Sequence, residues 1–70
     1  MIHPIIRAGT WVLEEQIFEV GQGMIWLQEY PEGRPTQGKA SRWEYSGRAE
    51  RLQAIQAAFR AFLTETGGLS

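Results

Sequence analysis

In the stretch SRWEYSGRAERLQAIQAAFRAFLTETGG, residues 41–68, the spacing of apolar residues changes from every second position to every third or fourth. This change predicts a strand followed by a helix. In residues 41–46 large aromatic side chains alternate with charged ones, which predicts a β-strand with two unlike faces. One face would carry Ser41, Trp43 and Tyr45, and the other Arg42, Glu44 and Ser46. Adjacent side chains of this strand would therefore point to opposite faces of the sheet.

From residue 47 onward the period becomes helical. The large apolar side chains recur at three- and four-residue steps, at Leu52, Ile55, Phe59, Phe62 and Leu63. This spacing predicts an amphipathic helix over residues 47–64, capped by Ser46 or Gly47 and followed by a tail over residues 65–70. Gly67 and Gly68 supply the stop signal.

The other side of that helix is lined with small residues, Ala54, Ala57, Ala58 and Ala61. Small side chains allow two helices to approach closely across a dimer. Alanine is also the strongest helix former and is common on exposed helix surfaces. Helix propensity alone explains these residues, so we expect the alanine side to face solvent.

The residues before this stretch predict further strands. Residues 24–30 place Met24, Trp26, Gln28 and Tyr30 on one face. Residues 10–20 are open to two interpretations. As a helix, their apolar residues would lie on three sides; as a strand, their alternation breaks at Glu14-Glu15, where we expect a β-bulge or a solvated pair, and the many β-branched and aromatic residues favour the strand. A glycine turn at 21–23 would join these two strands, and residues 31–40 read as a polar loop.

The chain therefore predicts an α+β fold in a single domain, residues 1–70. Residues 5–46 would form an antiparallel sheet of three or four strands with their loops, and the C-terminal helix would cover one face of the sheet. A chain of 70 residues has a small core, and the sequence contains no cysteine, so we expect stabilisation by homodimerisation.

Composition restricts the classes of function. The only histidine is His3, and no spacing of metal ligands or phosphate-binding loop is present, so no cofactor and no enzymatic activity are expected. Adjacent residues on a strand point to opposite faces, so Glu14 and Glu15 would not act on one substrate. No apolar run is long enough to span a membrane, and we expect a cytoplasmic protein.

Charge is divided between the two halves of the chain. Residues 1–32 carry one arginine against five glutamates, whereas residues 33–70 carry six basic residues against three glutamates. Arg48 and Arg51 lie in the first turn of the predicted helix, where the helix dipole disfavours cations unless an anion docks there. The cations predicted to meet phosphates are Arg34, Lys39, Arg42, Arg48 and Arg51.

A sheet covered by one helix leaves its other face open. Aromatic side chains on such a face, bordered by cations, are typical of single-stranded nucleic-acid binding, and the predicted stacking residues are Trp26, Tyr30 and Trp43. The same open face would equally serve a protein partner or a second copy of the chain. We rank single-stranded DNA or RNA first and a protein-interaction module second.

The run IWLQEYPEGRPTQGKASRWEYSGRAERLQAIQAAF, residues 25–59, resembles the last strands, basic loop and helix of PC4 and PUR-type single-stranded nucleic-acid-binding domains. The resemblance implies a dimer of four-stranded sheets, each with one helix, that binds the strand through sheet aromatics and loop cations. By position, it makes Lys39 and Arg42 the loop cations and Trp26 and Tyr30 the stacking platforms.

Overall fold

The computed structural model of the chain describes residues 2–34 and 40–68. Its elements are β1 (Ile2–Ala8), β2 (Trp11–Glu19), β3 (Gln22–Glu29), a short 3₁₀ helix (Pro31–Gly33), β4 (Ser41–Ser46) and α1 (Arg48–Thr66). The four strands form one antiparallel sheet in the order β1-β2-β3-β4, and α1 packs against it. The predicted α+β class and the antiparallel sheet with a C-terminal helix are therefore confirmed.

Tight turns join the first three strands. The turn between β2 and β3 is made by Val20 and Gly21, and Gly21 has a φ of 78°, which favours glycine. The predicted turn at 21–23 is thus displaced by about one residue, and Gln22 and Gly23 already belong to β3.

Residues 10–20 form a strand as predicted, but the bulge lies elsewhere. Glu14 pairs with Trp26 and Glu15 with Ile25 in regular register. The irregularities in pairing fall between Pro4 and Ile6 in β1 and between Ile17 and Glu19 in β2. The alternation breaks at Glu14-Glu15 for another reason, which is that Glu15 is buried beneath the helix.

The core lies between the sheet and α1. Its largest fully buried side chains are Leu13 of β2, Ile25 and Leu27 of β3, and Phe62 of α1. Each of the sheet residues is an odd-numbered position, so one face of β2 and β3 points consistently toward the helix.

The predicted orientation of the helix is wrong in part, because Phe62 is buried and Ile55, Phe59 and Leu63 pack against the core as predicted, but Leu52 does not. The buried helix residues are Ala54, Ala58 and Phe62, whereas Leu52 is 55% exposed. Large side chains on the sheet, among them Tyr45, pack into the same core, and the small side chains of Ala54 and Ala58 allow the helix to approach the sheet closely beside them. Ala54 and Ala58 therefore contact the chain's own sheet and neither face solvent nor meet a second helix.

Both ends of α1 are marked by a glycine and a local hydrogen bond. Gly47 is the N-cap, and the carboxylate of Glu50 accepts a hydrogen bond from the Ser46 backbone N–H at 2.9 Å. At the other end Gly67 adopts a left-handed conformation, and the Gly68 N–H donates to the Leu63 carbonyl at 2.9 Å. The helix thus runs two residues beyond the predicted end at residue 64.

We predict that the variant Ala58→Leu is less stable than the wild type by about 1–3 kcal/mol, because a larger side chain has to enter a closely packed interface. The matched variant Leu52→Ala should change stability by no more than about 0.5 kcal/mol, because Leu52 lies mostly in solvent. Urea unfolding monitored by circular dichroism measures both. A larger loss for Leu52→Ala than for Ala58→Leu would show that the opposite side of the helix faces the sheet.

Candidate binding face of the sheet

The face of the sheet away from α1 carries three rows of side chains, and we call it the open face. Strand pairing defines the rows, which are Arg7–Val12–Gln28, Pro4–Glu14–Trp26–Arg42 and Ile2–Gln16–Met24–Glu44. Even-numbered positions of β2, β3 and β4 all contribute, as the alternation of the sequence predicts. The open face therefore combines apolar side chains, of which Val12 and Met24 are buried, with polar side chains and charges of both signs.

The middle row places an aromatic ring between two charges. Trp26, on the central strand β3, pairs with Glu14 of β2 on one side and with Arg42 of β4 on the other. Trp26 is half-buried and Arg42 is exposed. The indole N–H of Trp26 is shielded from solvent and has no acceptor among the described residues. The Trp26 ring is thus partly exposed, and a cation lies on the neighbouring strand directly beside it.

Tyr30 lies on the same face but is held in place. Its backbone N–H donates to the Thr10 carbonyl at 2.7 Å, and its hydroxyl donates to Glu14 Oε1 at 2.6 Å. To reach Glu14 from beside Thr10, the ring has to pass over Val12, which explains why Val12 is only 8% exposed on an uncovered face. The hydrogen bond to Glu14, together with burial, raises the pKa of Tyr30 to about 12.

The tyrosine ring borders an open groove of about 410 Å³ on this face. Its lining residues are Pro4, Arg7, Val12, Glu14 and Tyr30. The apolar floor and the two charged side chains give the groove a mixed character. It runs alongside the Trp26 row and extends the open face toward β1.

Trp43, one of the predicted stacking residues, does not belong to the open face. It pairs with Ile25 and points toward the helix, where it is packed against the core. The alternation of β4 had placed Trp43 and Arg42 on opposite faces, and the pairing with Ile25 fixes which of those faces is covered. Trp43 therefore does not lie beside Trp26, as its predicted stacking role required.

Arg51 is also engaged inside the fold. Its Nε donates to Glu15 Oε2 at 2.7 Å and its Nη2 donates to Glu15 Oε1 at 2.9 Å, so the pair is bidentate. The Tyr45 hydroxyl donates to the same Oε2 at 2.5 Å. We call Glu15, Arg51 and Tyr45 the buried cluster. Arg51 belongs to α1 and is held by Glu15 on the covered side of the sheet, so it does not lie beside Trp26 on the open face.

The buried cluster joins the sheet to the helix. Glu15 is 5% exposed, and the hydrogen bonds from Arg51, with a smaller contribution from Tyr45, hold the pKa of this carboxyl below its usual value although burial opposes them. Burial and the bond to Glu15 raise the pKa of the Tyr45 hydroxyl. The sequence gives one signal for this cluster, the apolar alternation that breaks at Glu14-Glu15.

Gly23 makes room for Tyr45. The two residues pair across β3 and β4, and a Cβ on Gly23 would overlap the Tyr45 hydroxyl and lie 2.6 Å from the Gln16 carbonyl oxygen. The Tyr45 ring thus lies across a glycine to reach Glu15. This contact gives Gly23 a packing role within the strand, in addition to its place near the turn.

The remaining predicted cations are not gathered at one point. Arg34 is exposed after the 3₁₀ helix, and Arg48 is exposed at the first position of α1. Lys39 lies outside the described residues. Of the eight residues predicted to bind, the structure brings together Trp26, Tyr30 and Arg42 on the open face.

Comparison with known proteins gave no match among family models, curated proteins or solved structures. Within residues 2–34 and 40–68, no group of three or more acidic or histidine side chains is arranged to hold a metal ion. No helix in this part of the chain has the length and apolar character needed to cross a bilayer.

We predict that the buried cluster makes folding acid-sensitive. The folded-state pKa of Glu15 is below its ordinary value of 4.5, so its contribution to stability is complete above that value and is lost as the pH falls through the folded-state pKa. In Arg51→Met, Glu15 loses its partner and burial raises its pKa, so this acid-dependent loss should disappear or reverse. Urea unfolding at neutral pH and at several values below 4.5 measures the difference.

The same variant should be about 1–3 kcal/mol less stable at neutral pH. This is less than for a fully buried ion pair because the Arg51 side chain is 45% exposed. Arg48→Met, at an exposed helix position, is the matched control and should behave like the wild type. If the wild type and Arg51→Met lose stability in parallel on acidification, the ion pair does not act as described.

Proposed function

We propose that this protein is a non-enzymatic binding module that holds single-stranded nucleic acid on the open face of its sheet. The observation that supports it is the cross-strand pair of Trp26 and Arg42, which places a flat aromatic ring beside an exposed guanidinium. Nucleic-acid bases stack on such rings without regard to sequence, and a neighbouring cation contacts the backbone phosphate.

The position of Trp26 and Arg42 suits an extended single strand of nucleic acid. Trp26 lies on a central strand and Arg42 on an edge strand, and directly opposed residues have Cβ atoms about 4.5–5.5 Å apart. A base on the indole would therefore direct its backbone toward β4 and the connection that precedes it. Arg34 is exposed at the start of that connection, and Lys39 falls within it.

The charge on the open face limits the affinity. Arg7 and Arg42 are balanced there by Glu14 and Glu44, and Glu14 lies directly beside Trp26. With Arg42 and Arg34 as the two phosphate contacts, log affinity should fall against log salt with a slope of roughly −1.4. We therefore propose a weak, sequence-tolerant binder that works best at low ionic strength.

A protein partner is the second candidate, and a separate observation favours it. Exposed apolar side chains gather toward the end of the sheet where β2 turns into β3, and they include Ile17, Phe18 and the fully exposed Val20. Ile2, paired with Gln16, adds another near the same end. Such side chains fit an apolar protein surface better than a phosphate backbone.

We predict that Trp26→Leu weakens binding of a fluorescein-labelled oligothymidine about 10- to 100-fold, because one stacked base contributes about 1–3 kcal/mol. Fluorescence anisotropy at two salt concentrations measures the affinity and its salt slope. Trp43→Leu is the matched control on the covered face, and it should bind like the wild type provided that circular dichroism shows it to be folded.

If the wild type gives no anisotropy change at low salt, the nucleic-acid proposal is wrong and the protein-partner function takes its place. Equal losses for Trp26→Leu and folded Trp43→Leu would mean that the open face is not where the strand binds.

A further inference from the structure

The outer edge of β4 pairs with no strand among the described residues, and neither does the outer edge of β1. The two edges differ in how well they are protected. β1 contains Pro4, which has no N–H to donate, and its pairing is irregular between Pro4 and Ile6. Both features are devices that keep an edge from adding another strand. β4 has neither, since it contains no proline and pairs with β3 in unbroken register.

The charges of β4 are arranged to match a copy of themselves. Arg42 and Glu44 both lie on the open face, with Trp43 between them on the covered face. In an antiparallel pair related by a two-fold axis through Trp43, Arg42 of each copy lies opposite Glu44 of the other. Opposite charges at directly facing positions stabilise a strand pair, and like charges destabilise it.

We propose that two copies of this chain pair their β4 strands antiparallel about Trp43, so that the two sheets become one continuous sheet with both helices on the same side. This inference rests on the strand edge and does not depend on the proposed function. It commits to a second copy as the partner because the two-fold operation itself produces the charge match.

Other registers of the β4 pair would place like charges opposite each other or would bring unlike faces of the two sheets together. Sliding the pair by two residues in one direction sets Arg42 against Arg42, and in the other direction it sets Glu44 against Glu44. Sliding by one residue would place side chains of the covered face opposite those of the open face, which the pleat and the two-fold axis do not permit. Among registers with extensive overlap, the one centred on Trp43 is therefore favoured.

The covered side of the same edge has space for this contact. An open groove of about 510 Å³ lies between β4 and α1, lined by Trp43, Glu44, Glu50, Gln53, Ala54 and Ala57. In the proposed dimer the two half-buried Trp43 rings meet at the two-fold axis, beside this groove in each copy. Their further burial adds apolar contact to the backbone hydrogen bonds of the new strand pair.

The dimer is compatible with nucleic-acid binding on the open face. One carboxylate occupies two of the five N–H donors of an arginine, so Arg42 keeps donors for a phosphate. The two Trp26 rings would lie on one uninterrupted surface, on either side of the axis.

Sedimentation equilibrium of the protein without nucleic acid tests the inference. The wild type should sediment at twice the mass of the 8.0 kDa chain at micromolar concentration. Arg42→Glu and Glu44→Arg each turn both symmetry-related charge pairs from attractive to repulsive, so each should weaken dimerisation about 30-fold. The double variant Arg42→Glu/Glu44→Arg restores the opposite pairing and should restore the dimer.

A wild type that remains monomeric up to millimolar concentration would overturn the proposal. So would single variants that dimerise as tightly as the wild type, or a double variant that stays as weak as the single ones, because the charges would then not set the contact. Circular dichroism confirms folding of each variant. The readout is mass in the absence of oligonucleotide, so its outcome is separate from that of the anisotropy experiment.

Discussion

The ion pair between Glu15 and Arg51 compensates the one carboxylate that is buried among the described residues. It joins the middle of β2 to the first turns of α1 through two hydrogen bonds, and Tyr45 of β4 donates a third to the same carboxylate. A buried carboxylate is costly unless it is paired, so this contact allows Glu15 to lie among the apolar side chains of the covered face. The glycine at position 23 is part of the same arrangement, because it leaves space for the Tyr45 ring.

Because α1 covers one face of the sheet, strand alternation fixes which side chains lie on the open face. Once Glu15, Trp43 and Tyr45 point toward the helix, strand alternation places Glu14, Trp26 and Arg42 on the open face in a single row. Tyr30 then bonds to Glu14 and covers Val12, so part of this face is already closed by the chain itself. The rest of this side of the sheet presents the partly exposed Trp26 ring, its arginine neighbour and the outer edge of β4, which pairs with no strand in the part of the chain that the structure describes.

The elements that depend on local periodicity were predictable from the sequence. The strand at residues 41–46, the helix that follows it and the faces of residues 24–30 all appear as expected, because alternation and helical spacing are properties of neighbouring residues. The burial of Glu15 was not predictable in this way, since its partner Arg51 is 36 residues distant along the chain. A charge that interrupts an apolar alternation was the one visible trace of it.

The orientation of the helix shows a second limit. Both sides of α1 are apolar, one with large residues and the other with alanines, so helical spacing alone did not distinguish them. The decision comes from the opposing sheet, whose large side chains leave space for Ala54 and Ala58. The residues predicted to bind divide similarly: Trp26 and Arg42 lie together on the open face, whereas Trp43 is packed against the core and Arg51 is paired with Glu15.

We propose that Trp26 meets a ligand on the open face, whereas Trp11, which pairs with Ala8 of β1, and Trp43 are packed against the core. Nuclear magnetic resonance of the ¹⁵N-labelled protein tests it most directly, because each of the three tryptophans contributes one indole N–H signal. On addition of oligothymidine, we expect the chemical shift of the Trp26 signal to change while those of Trp11 and Trp43 stay the same. Movement of the Trp43 signal with an unchanged Trp26 signal would contradict it.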